Sequence, residues 1–79
     1  MTRNELQEKL AEKGVHESLY SLDGLANQSE CYSVVHEGGA WKVMYKERGE
    51  VTEIAVGFSE SEAYDLVYTE FQKAYGWQD

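Results

Sequence analysis

Three things are scarce in this sequence, and each scarcity narrows what the chain can be. A single cysteine, Cys31, excludes an internal disulfide and fits a reducing compartment. Long apolar runs are missing: no stretch approaches the roughly 20 apolar residues of a membrane helix. The opening MTRNELQEKL also lacks the apolar centre of a secretion signal. Positive charge is the third shortage, with 7 Lys and Arg against 15 Asp and Glu, a formal net charge of -8. A chain of that sign repels phosphate backbones and anionic bilayers, so direct binding to nucleic acid or membrane is disfavoured. The expectation is a soluble cytoplasmic protein.

Chemistry-bearing clusters are equally sparse. His16 and His36 fall in different elements, and no Cys-x-x-Cys or His-x-x-x-His spacing occurs. Zinc needs three or four such protein ligands, so no metal site is expected. Cys31 and His36 lie five apart on one strand and point to opposite faces, which rules them out as nucleophile and base. HEGGA lacks the remaining glycines and the Lys of a phosphate-binding loop, and it sits at a hairpin rather than a helix start. Glu60 and Glu62 are accounted for as helix-start residues rather than acid/base groups. Neither an enzyme nor a cofactor is expected.

What is present suffices to fold. Of 79 residues, 42% are apolar and 13% aromatic, too hydrophobic for a disordered tail and too few for a second domain. Residues 1–79 are therefore read as one domain. Thr2 and Glu5 form a capping box for a helix over residues 2–13, with Leu6 and Leu10 on one face and Gly14 as its left-handed stop. VHESLYSL reads as a turn or short helix leading into an extended piece. DGLANQSE, Asp23 to Glu30, is the longest loop.

Three strands follow, at about Glu30–Glu37, Ala40–Lys46 and Val51–Phe58. A two-residue Gly38-Gly39 turn pairs Val34 with Val43, Tyr32 with Tyr45 and His36 with Trp41. A four-residue turn over ERGE pairs Val43 with Ile54 and Trp41 with Val56, leaving Gly49 in the left-handed position. Both turns place Tyr32, Val34, Trp41, Val43, Tyr45, Ile54 and Val56 on one face. The other face carries Cys31, Ser33, Val35, Lys42, Met44, Lys46, Glu53 and Ala55, a mixed set open to water or to a partner.

Ser59 and Glu62 open a second helix ending at Gly76. Its core stripe is Ala63, Leu66, Val67, Phe71 and Ala74, flanked by Tyr64, Tyr68 and Tyr75. Glu70 falls inside the apolar arc and calls for a cation, for which Arg48 is the candidate. The expected fold is α+β: α-β-β-β-α, a three-stranded antiparallel meander with two helices packed on one face.

Charge is uneven along the chain. From Gly49 to Gln72 there are six acids (Glu50, Glu53, Glu60, Glu62, Asp65 and Glu70) and no Lys or Arg. Such a stretch is either a solvated surface or one that meets a basic partner and speeds the encounter.

LYSLDG (residues 19–24), WKVMYKERG (41–49) and FSESEAYDLVY (58–68), in that order and spacing, resemble the small immunity proteins of bacterial polymorphic-toxin and contact-dependent growth inhibition systems. In that family a Tyr-Ser-Leu-(Asp/Asn)-Gly segment precedes a Trp-x-Val-x-Tyr-x-Glu-Arg-Gly hairpin. A Phe-x-Ser-Glu-x-Glu-Ala-type helix start then follows, shortened here because Phe58 abuts Ser59. The likeness runs from about Leu6 to Phe71. It implies a cytoplasmic antitoxin that binds the C-terminal domain of one cognate toxin, one-to-one, with no catalysis, cofactor, metal or small-molecule substrate.

Many such toxins are nucleases with basic clefts, which an acidic surface would occupy or screen. The candidate contact residues are Asp23, Glu30, Glu50, Glu53, Glu60, Glu62, Tyr64, Asp65 and Tyr68. The alternative is a non-enzymatic acidic regulator or adaptor, a nucleic-acid mimic that binds a basic host or phage protein.

Overall fold

A computed structural model describes residues 1–78. Helix α1 (Arg3–Glu12) is followed by a single 3-10 turn (Glu17–Leu19) and strand β1 (Tyr20–Ser21). Strands β2 (Cys31–Glu37), β3 (Ala40–Glu47) and β4 (Glu50–Gly57) come next, and helix α2 (Glu60–Tyr75) closes the order. The α+β class holds, but the sheet has four strands in the order β1-β2-β3-β4 and is mixed. The two residues of β1 pair parallel to β2, Tyr20 beside Tyr32 and Ser21 beside Ser33. Two residues are too short to carry a periodic signal, so a meander of three strands is all that pattern alone supports.

The helix ends follow from their capping residues. Thr2 Oγ1 accepts from Glu5 N at 3.2 Å while Thr2 N donates to Glu5 Oε1 at 2.8 Å, a complete capping box. Ten residues make a marginal helix in isolation. What holds α1 is burial of Leu6 and Leu10, both 0% exposed, each contributing roughly 1.5–3 kcal/mol. At α2, Ser59 Oγ accepts from Glu62 N at 3.1 Å, and Glu62 Oε1 accepts from Phe58 N at 3.3 Å. The reciprocal bond is therefore shifted one residue outward from the expected box. Gly76, at φ 72°, ends the helix.

Both helices belong to one core. Leu6 and Leu10 of α1, Ala63, Tyr64, Val67 and Phe71 of α2, Val34 and Val43 of the sheet, and Val15 and Leu22 form a single cluster. Phe71 centres an aromatic group, 4.7 Å from the Tyr32 ring and 6.3 Å from Tyr20 between centroids. The buried stripe of α2 is rotated from the expected one. Tyr64 is inside at 2% exposure, Leu66 is half-buried and Ala74 is exposed.

The β2–β3 register is as expected, with Val34 opposite Val43, Tyr32 opposite Tyr45 and His36 opposite Trp41. The β3–β4 register is as expected from Lys46–Val51 to Met44–Glu53 and departs by one residue beyond. The turn is two residues, Arg48-Gly49, closed by the pair Glu47–Glu50, and both turn residues have positive φ (52° and 82°). Positive φ at both central residues is the type I′ geometry that suits the strand twist, with positions normally filled by Asn or Gly rather than Arg.

Further along, Met44 faces Glu53 and Val43 faces Ala55, so Ile54 is an extra residue in β4. Beyond it Ala55 and Gly57 turn to the core, while Ile54 (36% exposed) and Val56 (41%) turn out. The expected pairs Val43–Ile54 and Trp41–Val56 are thus replaced by Val43–Ala55 and Trp41–Gly57. Glu70 does find a cation, but it is Lys73, with Nζ 3.4 Å from Oε2. Arg48 stands at the exposed hairpin tip between Glu47 and Glu50.

Replacing Arg48 by Asn relieves the left-handed strain on a side chain that is exposed. The expected outcome is a gain of about 0.5–1 kcal/mol in urea unfolding with an unchanged m-value. An equal loss would mean that Arg48 holds a stabilising contact.

Candidate functional site

The groups with the most reactive chemistry are placed for packing. Cys31 is fully buried and burial pushes its thiol pKa up, which disfavours the thiolate a nucleophile needs. Its Sγ donates to Tyr32 O at 3.5 Å. His36 stacks face to face on Trp41 at 4.0 Å, and His16 Nδ1 accepts from Ser18 N at the start of the 3-10 turn. Among the described residues, no three His, Cys, Asp or Glu side chains converge in a way that could hold a metal ion. No described helix is long and apolar enough to cross a membrane.

Segment 22–30 closes over the outer face of β2. Gly24 N donates to Val34 O at 3.1 Å, and Ala26 N to Ser33 Oγ at 2.9 Å. Lys46 Nζ reaches Asn27 O at 3.2 Å, and Glu30 N donates to Lys46 O at 2.6 Å. Ser33 (1% exposed) and Cys31 are therefore interior, although both had been expected on an open face.

The acids proposed as a contact surface do not form one patch. At one end of the sheet, Asp23 and Glu60 line a shallow cleft with Arg3, His36 and Trp41. Arg3 donates two hydrogen bonds to Asp23, Nη1–Oδ1 at 2.6 Å and Nη2–Oδ2 at 2.7 Å, a bidentate clamp joining α1 to the loop. At the opposite end, Glu30 and Glu47 stand near the Tyr45 phenol, whose pKa is raised first by burial and then by those charges. Glu50 shares the hairpin cleft with Tyr45 and Arg48.

Glu53 lies on the outer face against Lys42, at 3.4 Å, and Lys42 also binds Glu37 at 3.1 Å. Glu62 is engaged with Phe58 N, and Asp65 Oδ1 lies 2.6 Å from the Met1 amino group.

The two tyrosines of the candidate set are packing residues. Tyr64 is 2% exposed within the core, beside Arg3, and burial raises its phenol pKa. Tyr68 is half-buried, 5.6 Å from the Trp77 ring, with Lys9 Nζ 5.6 Å from its centroid. Tyr64 is thus interior, whereas Tyr68 flanks the stripe as expected and keeps a partly exposed edge.

What sequence reasoning missed is apolar. Ile54, Val56 and Phe58 stand two residues apart along β4 and just beyond it. Phe58 is 85% exposed, and Val51 on the same strand is 39% exposed. Their outward turn comes from the bulge at Ile54, and either reading of the Arg48-Gly49 turn gives the same register up to Met44–Glu53, so no signal in the strand pattern marks it.

Compared with known proteins, the chain matches no family model, no curated protein and no solved structure.

Two measurements check this placement. A thiol reagent should label native Cys31 at least about tenfold more slowly than in denaturant, since the buried thiol is protonated and inaccessible. Arg3 holds the Asp23 carboxyl below its ordinary 3.8. A depressed carboxylate pKa contributes stability above the unfolded value and loses it as pH falls through the folded one. Asp23→Asn should therefore melt lower than the parent at neutral pH, with the difference shrinking as the pH falls below 3.8 toward the lowered folded-state value.

Proposed function

We propose that this chain is an immunity protein, a non-enzymatic antitoxin that binds and neutralises a basic toxin domain, most simply a nuclease. The observation that carries the reading is the run from Gly49 to Gln72, with six carboxylates and no Lys or Arg. Of these, Glu50, Glu53, Glu60, Glu62 and Asp65 are exposed. The resemblance of its three motifs to immunity proteins supplies the toxin as the partner.

Mechanistically, a nuclease cleft is lined with cations that hold phosphate. A surface of fixed carboxylates competes for those cations or screens the approach of substrate. Complementary charge raises the association rate, and the pairs that become desolvated slow dissociation. No chemical step is needed: a complex that outlives the toxin's opportunity to act is enough.

The test is co-expression with the toxin domain encoded beside this chain. Protection of the cells and a one-to-one complex on purification are expected. Double reversal Glu50→Lys with Glu60→Lys should lower the association rate by roughly tenfold at low salt and less at high salt. Unprotected cells with no complex would refute the pairing. Capture of a different basic protein would favour the regulator reading instead.

A further inference from the structure

Strand β4 is an edge of the sheet: β3 hydrogen-bonds one side of it, and among the described residues no strand lies on the other. Along its eight residues every second one turns its N–H and C=O away from β3, which is a template for another strand. Ile54, Val56 and Phe58 add an exposed apolar ladder, which the loop that covers β2 does not reach.

We propose that β4 is a docking edge that takes an extended, lysine- or arginine-rich segment of a partner protein as a fifth strand. The inference deepens the reading of the chain as the binder of a basic protein and rests on it. Three features select this occupant. The free backbone groups ask for an extended chain. The ladder asks for an apolar residue at alternate positions of that chain, with Phe58 as the large anchor at one end. The intervening charges are of one sign: Glu50 and Glu53 along the strand, then Glu60 and Glu62 at the start of α2.

The nearest cation on the outer face, Lys42, is already held by Glu37 and Glu53. Lys46 is turned toward Asn27 on the β2 side. A second copy of this chain would bring the same carboxylates to the seam and set them against each other. A basic strand complements them, Glu50 and Glu60 most of all, since Glu53 is shared with Lys42 and Glu62 with Phe58 N.

The experiment uses two synthetic nine-residue peptides, one of alternating Lys and Val and one of alternating Glu and Val, titrated into the full chain. Backbone amide shifts should move along residues 51–57 with the Lys peptide. That peptide should bind at least about tenfold more tightly than its Glu counterpart, and the gap should narrow as salt is raised. Phe58→Ala and, separately, Ile54→Ser should each weaken binding several-fold at an unchanged melting temperature, since both side chains are exposed. Equal affinity for the two peptides would overturn the proposal, as would shifts confined to other elements or no binding at millimolar peptide. Sedimentation showing a dimer sealed through β4 would overturn it too, by naming a second copy as the occupant. Because no toxin enters the assay, failure here is distinguishable from failure of the immunity reading.

Discussion

Between the pairs Met44–Glu53 and Val43–Ala55, strand β4 carries one residue more than β3, and the direction of every later side chain follows from it. Without the extra residue Ile54 and Val56 would enter the core and Ala55 would face out. With it, the inward positions are Ala55 and Gly57, the smallest residues available. That leaves room for α2. A Cβ placed on Gly57 would stand 3.1 Å from Ala63 N and 3.4 Å from Glu62 Cβ. The first turn of α2 therefore lies almost against the strand backbone. The bulge thus sets the depth of helix packing, and the depth of packing sets which face of α2 is buried, with Tyr64 inside.

A small chain cannot cover a sheet on both sides with helices. About 60-residue domains bury only some 60% of their unfolded surface, and this one has no disulfide to compensate. Its two helices share one face, and the other is covered only where segment 22–30 folds over β2. That segment is anchored by backbone donors to Val34 and Ser33 and by Lys46, so an irregular loop acts as a partial third layer. It buries Cys31 and Ser33 and stops short of β4. The asymmetry of the sheet, closed at β2 and open at β4, is a consequence of having one loop long enough to do this.

The legible parts were those where several local signals agree. The caps at Thr2 and Ser59, the αL stops at Gly14 and Gly76, and the Gly38-Gly39 hairpin with its register all follow from residue chemistry at fixed offsets. The β3–β4 turn was not legible, because Arg is a poor left-handed residue and a four-residue turn with Gly49 in that role satisfies the same letters. The turn length leaves the register unchanged as far as Met44–Glu53; it is the bulge at Ile54, which no local pattern marks, that moves Ile54 and Val56 out of the core. Strand β1 was hidden by its length and is defined only by a partner twelve positions away. For the candidate site, the acids were correctly read as surface residues. Their grouping was not readable, since it depends on which strand ends meet. Tyr64, expected at the flank of the stripe, is drawn inside by a rotation of α2 that only packing against the rest of the core decides, while Tyr68 stays at the flank.

Charge and topology also constrain one another. An exposed edge strand with an apolar ladder is the feature that most readily drives a small protein to self-associate. Here the bulge interrupts the edge midway, and Glu50 and Glu53 sit along it. Across a pair of copies these carboxylates repel at short range, where screening by salt is least effective. The lack of Lys and Arg from Gly49 to Gln72 therefore has a structural role independent of any partner. One opposite charge on β4 would give each copy something to attract on the other, and the uniform sign removes that option. An edge guarded only by charge is open to chains of the other sign, so the same carboxylates that oppose pairing between copies would favour a basic strand.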